Sequence, residues 1–374
     1  MSKWKESELQ EVAEVQTGPF GSQLKNEQYV TGGTPVITVE HVKDFKIIDF
    51  DYPSITENDR NRLSKYLLKS GDIVFTRVGS VDLSAYVKEH QEGWMFSSRM
   101  LRVRPNLEAV NSRFLSYYFQ QKSFRDYILN ISVGATMPSI NTEILKEIPI
   151  TFPCLQIQSA IASVLSSLDD KIDLLHRQNA TLEKMAETLF RQWFVEEAKE
   201  EWKEGKLSEL VIVKYGKDHK KLLDGEIPVF GSGGLMRHVE KSLYNKESVL
   251  IPRKGSLNNV MYQDEPFWTV DTMFYTEMKI PNVAKFIYHF LKEQDLASMN
   301  VGSAVPSMTT EILNNMPLDI PPIEVFEKFE GAVAPLYAKT KSNQTQINTL
   351  SALRDTLLPK LMSGEIRIEK MELI

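Results

Sequence analysis

The stretch GATMPSINTEILKEIP, residues 134–149, occurs twice in this chain. It returns 168 residues later as GSAVPSMTTEILNNMP, residues 302–317, with eight of the 16 positions identical. Pro153 and Pro321 keep the same offset, and a long helical pattern follows each copy. Two copies are too few for a solenoid, which needs three or more repeats. The duplication therefore predicts a pseudo-two-fold molecule, built as a globular unit, a long helix, a second globular unit and a second long helix.

The first helical pattern, from Leu155 to Phe194, has the spacing of a coiled-coil seam. Its apolar positions step by four and three residues, and only Asn179 is polar. An asparagine at such a position fixes the register of a helix pair at some cost in stability. At ~1.5 Å per residue the helix would be a rod of roughly 57 Å. The seam consists of Ile161, Leu165, Leu168, Ile172, Leu175, Asn179, Leu182, Ala186, Leu189 and Trp193.

The second pattern, from Ile323 to about Met362, has a weaker seam with three polar positions. Pro335 is expected to kink or restart this helix, because proline has no backbone N–H to donate. Gly364 is expected to end it. Neither helix can bury its seam alone, so we expect the two helices to pack antiparallel. The second seam consists of Phe329, Val333, Leu336, Thr340, Asn343, Ile347, Leu350, Arg354, Leu357 and Leu361.

The globular parts have a mixed pattern, which predicts an α/β (α+β) fold. Strand-like runs occur at residues 34–39, 72–77 and 96–103, between turn signals. Alternation in the third run predicts one face with Phe96, Ser98, Met100 and Arg102. Residues 112–130 predict an aromatic-rich helix whose rings pack in the core. The expected domains are residues 1–150 and 200–320, with helical spacer regions at residues 151–199 and 321–374.

Charge is unevenly distributed along the chain. The net charge is −6, which argues mildly against a nucleic-acid partner. However, residues 60–125 carry 12 Lys/Arg and 5 Asp/Glu, a net +7, and residues 212–254 carry 9 and 5, a net +4. Residues 154–199 of the first helix carry 5 and 7, a net −2. Each globular part therefore has a basic segment, which is either a nucleic-acid footprint or an ordinary mixed surface.

The bulk properties predict a cytoplasmic protein with no membrane role. Cys154 is the only cysteine, so no intramolecular disulfide can form. The N-terminal residues show no signal peptide, and no apolar run approaches the roughly 20 residues of a membrane span.

The sequence contains none of the common motifs of catalytic sites considered below. There is no Walker loop, no Gly-x-Ser-x-Gly elbow and no metal-ligand spacing among the six histidines and one cysteine. The nearest approach to a nuclease is Asp271 with Glu277 and Lys279. The residues by themselves favour a non-catalytic, two-headed binding protein on a helical spacer. A coiled-coil protein scaffold with no DNA role and a metal-dependent nuclease are the alternative hypotheses.

Four segments carry a resemblance to a known family. They are residues 152–172 and 189–195 at the two ends of the first helix, residues 353–366 at the end of the second, and the loop at residues 17–22. Together these segments resemble the specificity subunit of type I restriction-modification systems, and the resemblance covers essentially the whole chain.

The resemblance implies a role for each part. Each globular part would be a target-recognition domain that reads one half of a bipartite site in double-stranded DNA, and the helices would set the gap between the halves. Two modification subunits would dock on the helices, bring S-adenosylmethionine and methylate adenine. Restriction subunits would add ATP- and Mg²⁺-dependent translocation and cleavage. The chain itself would catalyse nothing and would hold neither cofactor nor metal.

The candidate DNA contacts are basic or polar residues of the two basic segments, together with the glycine-rich loop near the N-terminus. Arginine reading guanine and asparagine reading adenine are common major-groove pairings, and lysines supply phosphate contacts. The alternative for each residue is a solvated surface group. In the first globular part the candidates are Gly18, Phe20, Gly21, Ser22, Arg77, Ser80, Arg99, Arg102 and Arg104. In the second globular part the candidates are Lys214, Lys217, Lys220, Lys221, Arg237, Arg253, Lys254 and Asn258.

Overall fold

A computed structural model describes residues 4–48, 50–134, 136–299 and 307–368. The chain divides into two compact units. Unit 1 contains residues 1–174 and 346–374, and unit 2 contains residues 175–345. Residues 302–306, which begin the second copy of the repeated stretch, lie outside the described residues.

Both units combine short strands with helices. The helices are α1 (Leu9–Val12), α2 (Glu57–Arg62), α3 (Ser112–Gln120), α4 (Lys122–Ile131), α5 (Thr142–Lys146), α6 (Leu155–Arg191), α7 (Leu207–Leu210), α8 (Ala284–Glu293), α9 (Thr310–Asn314) and α10 (Ile323–Met362). The strands of unit 1 are β1 (Lys5–Glu8), β2 (Ala13–Thr17), β3 (Tyr29–Val30), β4 (Thr34–Ile37), β5 (Val42–Lys43), β6 (Lys46–Ile47), β7 (Ser54–Ile55), β8 (Ile73–Thr76), β9 (Ser84–Tyr86), β10 (Met95–Phe96), β11 (Met100–Pro105) and β12 (Pro149–Phe152). The strands of unit 2 are β13 (Lys203–Lys206), β14 (Val211–Tyr215), β15 (Ile227–Gly231), β16 (Gly234–Val239), β17 (Ser248–Pro252), β18 (Met261–Gln263), β19 (Trp268–Thr269), β20 (Met273–Met278) and β21 (Pro317–Ile320).

The repeated stretch forms the same short helix and strand in both units. In unit 1 the Asn141 side chain caps α5 by accepting the Ile144 N–H, and in unit 2 Thr309 caps α9 in the same way through Ile312. The following prolines begin β12 and β21, which pair antiparallel with β1 and β13. The repeat thus closes each unit onto its own first strand and leads directly into a long helix.

Two further sheets of each unit also correspond, whereas the β5–β6 pair of unit 1 has no counterpart among the described residues of unit 2. Unit 1 has a four-stranded sheet in the order β2-β11-β8-β9, and unit 2 has one in the order β14-β20-β17-β18. A second sheet has the order β10-β4-β7-β3 in unit 1 and β16-β15-β19 in unit 2. In both, one pairing is parallel, between β4 and β10 and between β15 and β19. The mixed α/β class and the duplicated plan predicted from the sequence are therefore confirmed.

Two sequence predictions for unit 1 are wrong. Residues 96–103 are not one strand, because the chain leaves β10 after Phe96 and enters β11 at Met100. β11 is the second strand of its sheet and is buried on both faces from Met100 to Val103, so no alternation between core and solvent exists there. Residues 112–130 form two helices, separated at Gln121, whose ψ of 138° is extended. The break lets the rings of Phe119 and Phe124, one from each helix, pack together with their centroids 4.7 Å apart.

The long helices pack against each other within each unit. In unit 1, Arg354 of α10 donates to Asp169 of α6 at 2.9 Å, and Leu361 shares a core with Ile161. In unit 2, Phe190 of α6 packs edge-to-face against Phe329 of α10, with ring centroids 6.3 Å apart. In both units residue numbers rise along one helix as they fall along the other, so the pairing is antiparallel, as expected.

The predicted seam positions face inward in both helices. All of them are buried or half-buried, including the polar Asn179, Thr340, Asn343 and Arg354. α10 continues through Pro335 without a restart, because Val333 is fully buried and Leu336 half-buried on either side of it. The predicted end is confirmed, since Gly364 has a φ of +74° and donates its N–H to Leu361 O.

Candidate nucleic-acid interface

In unit 1 the candidate residues meet where strand β8 ends. Arg77 directly follows β8, and its guanidinium lies over the Phe20 ring, 5.8 Å from the centroid. The guanidinium also donates to the Thr17 hydroxyl at 3.4 Å, and the backbone N–H of Arg77 donates to Arg99 O at 2.9 Å. Since Phe20 is 50% exposed, the Arg77–Phe20 pair is available at the surface.

Gly18 allows the loop at residues 17–22 to reach this position. A Cβ at Gly18 would overlap the carbonyl oxygen of Ser97 and lie 2.8 Å from that of Phe96. Only glycine permits this approach of two backbones. Gly21 and Ser22 are exposed, and a Cβ at Gly21 would meet nothing within 4 Å.

The repeated stretch completes this site. The Arg77 carbonyl accepts the Ile140 N–H at 3.0 Å, and Gly79 donates its N–H to Pro138 O at 2.8 Å. Gly79 has a φ of +83°, which favours glycine, and it turns the chain so that Ser80 is exposed. We call Gly18, Phe20, Arg77, Gly79 and Ser80 the first strand-end cluster.

Unit 2 repeats this construction at the end of β17, the counterpart of β8. The Arg253 guanidinium lies over the Tyr215 ring, 5.4 Å from the centroid, and donates to Asp271 O at 3.1 Å. The Arg253 carbonyl accepts the Met308 N–H at 2.9 Å, just as Arg77 accepts from Ile140. The side chain of Lys254 is exposed, and its backbone forms an isolated antiparallel β-bridge with Ser307 in the second copy of the repeat.

The glycines correspond as well. A Cβ at Gly216 would overlap Val270 O and lie 2.6 Å from Thr269 O, which is the same backbone approach that Gly18 makes. Gly255 has a φ of +85° and takes the place of Gly79. We call Tyr215, Gly216, Arg253, Lys254 and Gly255 the second strand-end cluster. The sequence analysis missed Tyr215 and Gly216, although both end a strand as Thr17 and Gly18 do.

Not all predicted arginines of unit 1 are available. Arg102 is only 1% exposed and donates to Glu14 at 2.7 Å, and burial lowers its pKa. Arg104 makes two hydrogen bonds to Asp72, at 2.8 and 2.7 Å, which raise its pKa. Both guanidiniums are thus bound inside the unit, because their strand is covered on both faces. Of the remaining candidates, Arg99 is exposed.

In unit 2 the predicted lysines are exposed. Lys214 lies on β14, and Lys217, Lys220 and Lys221 lie on the segment between β14 and β15. Arg237, in contrast, is half-buried; it donates to Leu222 O at 2.8 Å and lies 3.2 Å from an Asp224 carboxylate oxygen.

Asn258 is exposed, and both ends of its amide are hydrogen-bonded to a neighbouring loop. It donates to Asp295 at 3.2 Å and accepts the Ala297 N–H at 2.9 Å. Arg237 and Asn258 therefore each hold a neighbouring loop through hydrogen bonds, and their contact with DNA stays a prediction.

The residues of the nuclease hypothesis are not brought together. Asp271 precedes β20 and Glu277 lies near its far end, which at about 3.3 Å per residue separates them by roughly 20 Å. Lys279 donates to Ser208 O. In the part of the chain that the structure describes, no three His, Cys, Asp or Glu side chains are grouped as metal ligands.

Comparison with known proteins decides between the hypotheses. A family model described as the type I restriction modification DNA specificity domain matches residues 1–184 and 199–352. The chain belongs to this specificity family. It is 27% identical to the MjaIX specificity subunit from Methanocaldococcus jannaschii, with 98% of this chain and 94% of that protein covered. It is 20% identical to the HindI specificity subunit from Haemophilus influenzae, over 81% of this chain and 88% of that protein.

A solved structure shows the same fold. The crystal structure of a type I restriction-modification S subunit from M. genitalium matches with a TM-score of 0.65 and 18% identity, covering 99% of this chain and 97% of that one. As a member of the specificity family, the chain is a non-catalytic DNA specificity subunit of a type I restriction-modification system. The scaffold and nuclease hypotheses are therefore wrong. Among the described helices, none combines the length and apolar character of a membrane span.

Proposed function

We propose that each unit of this specificity subunit reads one half of a bipartite site in double-stranded DNA through its strand-end cluster. The observation that carries the proposal is the recurrence of one construction in both units. In each, an arginine at the end of the third strand of the sheet lies over an exposed aromatic ring and is followed by a glycine with positive φ. A chance surface arginine would not be expected to keep its ring, its glycine and its contact to the repeat in both units.

The construction suits base recognition. A guanidinium held over a ring keeps its planar edge directed outward, and arginine can donate two hydrogen bonds to O6 and N7 of guanine. The exposed Lys254 in unit 2 and the lysines between β14 and β15 would supply salt-dependent phosphate contacts. The Arg77 guanidinium lies over Phe20 and donates to the Thr17 hydroxyl, whereas the Arg253 guanidinium lies over Tyr215 and donates to a backbone carbonyl. Since the surroundings of the two arginines differ, we infer that the two half-sites differ.

The partners follow from the same proposal. Two modification subunits would dock on α6 and α10 and bring S-adenosylmethionine for adenine methylation, and restriction subunits would bring ATP and Mg²⁺. The two helices would set the gap between the half-sites. The complex would work on cellular DNA in the cytoplasm, and this chain would hold no cofactor.

The test is the double substitution Arg253→Ala with Lys254→Ala in the full chain, expressed with the modification subunits of its system. We expect mapping of methylated adenines to show a bipartite motif for the wild type and a motif relaxed in one half for the variant. The salt dependence of DNA binding should weaken, with a log–log slope smaller by about 1 to 2. Lys246→Ala with Lys279→Ala, which removes two exposed charges of the same unit at the opposite end of the β17–β20 pair from Arg253, is the matched control.

The reciprocal substitution, Arg77→Ala, should relax the other half of the motif. If the double variant has wild-type affinity and an unchanged motif, the second strand-end cluster does not contact DNA. If the wild-type chain produces no motif in an assembled complex, the proposed division of the site between the units is wrong.

A further inference from the structure

The two units differ in how β4 and β15 are connected to their antiparallel neighbours, β7 and β16. In unit 1, β4 and its antiparallel neighbour β7 are separated by residues 38–53. In unit 2 the equivalent strands, β15 and β16, form a hairpin joined only by Ser232 and Gly233. Two units that share a scaffold and read different half-sites would be expected to differ in the elements that read them.

The hairpin exposes two consecutive large apolar side chains, Leu235 at 57% and Met236 at 55%. Both side chains are therefore open to solvent near the tip of the ribbon. Val229 of β15 pairs with Arg237, and the next residue, Phe230, pairs with Leu235. Met236 therefore has no pairing partner on β15 and is the extra residue of a β-bulge. Bulges re-aim side chains and often adjoin functional sites.

The tip is held beside the second strand-end cluster. The Ser232 carbonyl accepts a hydrogen bond from the Asn259 side chain at 2.8 Å. Gly255 approaches so closely that a Cβ there would lie 2.9 Å from the Ser232 hydroxyl. The hairpin and Arg253 therefore share one surface of unit 2.

The base of the hairpin is tied to a basic segment. Arg237 of β16 holds Leu222 and Asp224, and the same segment carries the exposed Lys217, Lys220 and Lys221. Exposed apolar groups between cations complement duplex DNA, which offers apolar methyl groups between two lines of phosphates. A patch of this kind is a binding surface and does not contribute to a core.

We propose that the β15–β16 hairpin enters the major groove of the half-site read by unit 2 and that Leu235 and Met236 contact thymine methyl groups there. The inference rests on the proposed function and adds residues that determine specificity. A two-stranded β-ribbon fits the major groove, and the thymine C5-methyl is the apolar feature that the groove displays. Arg253 reads the adjoining base, and the flanking lysines bind the phosphates.

The first experiment compares methylation motifs of the full chain and of Leu235→Ser with Met236→Ser, each expressed with the modification subunits. We expect the half of the motif assigned to unit 1 to stay unchanged and the other half to accept further bases at a T·A position. The unchanged half shows that the variant folds and assembles. Leu107→Ser, at a leucine of unit 1 that is 68% exposed, is the control and should leave both halves unchanged.

The second experiment needs no variant. Each thymine in the unit 2 half-site of a duplex oligonucleotide is replaced by uracil, which removes only the methyl group, and binding by the wild-type complex is measured. Loss of one buried methyl contact should weaken binding about fourfold at one or more positions. A variant motif that is unchanged in both halves, a half-site without thymine or the absence of any uracil effect would overturn the hairpin proposal. A wild type without any bipartite motif would overturn the proposed function itself.

Discussion

Asn343 donates its side-chain N–H to Oδ1 of Asn179 at 2.8 Å, which joins α10 to α6 inside unit 2 through a polar pair. Asn343 is fully buried, and Asn179 also donates to Thr340 O at 3.5 Å. Leucine seams tolerate a shift by one heptad, whereas an asparagine pair is satisfied in one register only. The pair therefore specifies how the two helices align.

Substitution of the pair should show this role in stability measurements. Asn179→Leu alone leaves the Asn343 N–H without its closest acceptor, and we expect it to cost about 1–3 kcal/mol in the free energy of unfolding. Asn179→Leu with Asn343→Leu removes both polar groups and should recover most of that loss. Chemical denaturation measures both variants, and a double variant less stable than Asn179→Leu would contradict this account.

The close backbone approaches in the strand-end clusters predict strong effects at two glycines. Gly18→Ala and Gly216→Ala each place a Cβ against carbonyl oxygens that cannot move independently of their strands. We expect each variant to lose about 1–3 kcal/mol of stability. The matched controls are Gly21→Ala and Gly233→Ala, where a Cβ would meet nothing within 4 Å. Equal thermal midpoints for Gly18→Ala and Gly21→Ala would show that the loop approaches less closely than described.

Burial lowers the pKa of His289 to about 4, and its Nε2 lies 2.9 Å from the Tyr337 hydroxyl. The unfolded chain has the ordinary pKa of about 6.5, so it binds a proton more readily than the folded chain. Neutral His289 therefore makes its full contribution to the free energy of unfolding above pH 6.5, and this contribution is lost as the pH falls toward 4. The difference corresponds to about 3 kcal/mol.

Denaturation between pH 7 and pH 4 tests the role of His289. His289→Gln keeps a polar side chain that cannot titrate, and its stability should depend less steeply on pH than that of the wild type. His238→Gln, at an exposed histidine, is the control and should follow the wild-type curve. Identical slopes for all three proteins would mean that His289 is accessible to protons when folded.

Lys285 of α8 lies buried between Glu247, at 2.9 Å, and Glu330 of α10, at 2.6 Å. Burial opposes the charge, but the hydrogen bonds to Glu330 and Glu247 outweigh it and raise the pKa. Lys285→Met would leave two carboxylates without their cation, and we expect a loss of about 3–5 kcal/mol. Lys292→Met is the control on the same helix, because its partly exposed pair with Glu183 should contribute about 1 kcal/mol or less. Unfolding midpoints that rank the two variants in the opposite order would refute this assignment.

The sequence predicted the features that depend on spacing along the chain. The 168-residue repeat, the two helical patterns and the stop at Gly364 follow from local periodicity and from residue types that permit few conformations. The sequence also repeats an arginine followed two residues later by Gly-Ser, at residues 77–80 and 253–256. Family resemblance then predicted the function that the comparisons confirm.

The features that depend on neighbours distant in sequence could not be predicted in this way. Alternation assigned Arg102 to a face, but only the sheet order shows that β11 is covered on both faces. Nothing in the spacing separates α3 from α4, because the break at Gln121 is stabilised by the contact between Phe119 and Phe124. Tyr215 could not be predicted because its ring meets Arg253, 38 residues further along the chain, only in the folded unit.

The sequence by itself determined the repeat, the helical periodicity and the residue types that could contact DNA, since each of these depends on the order of residues along the chain. The tertiary structure decided which of those residues are available. Arg77 and Arg253 are presented over exposed rings, whereas Arg102 is buried and Arg104 and Asn258 are hydrogen-bonded to carboxylates of their own units. The physical reason is that a charged or amide group is satisfied by whatever partner the fold brings within hydrogen-bonding distance, and those partners come from strands and loops distant in sequence.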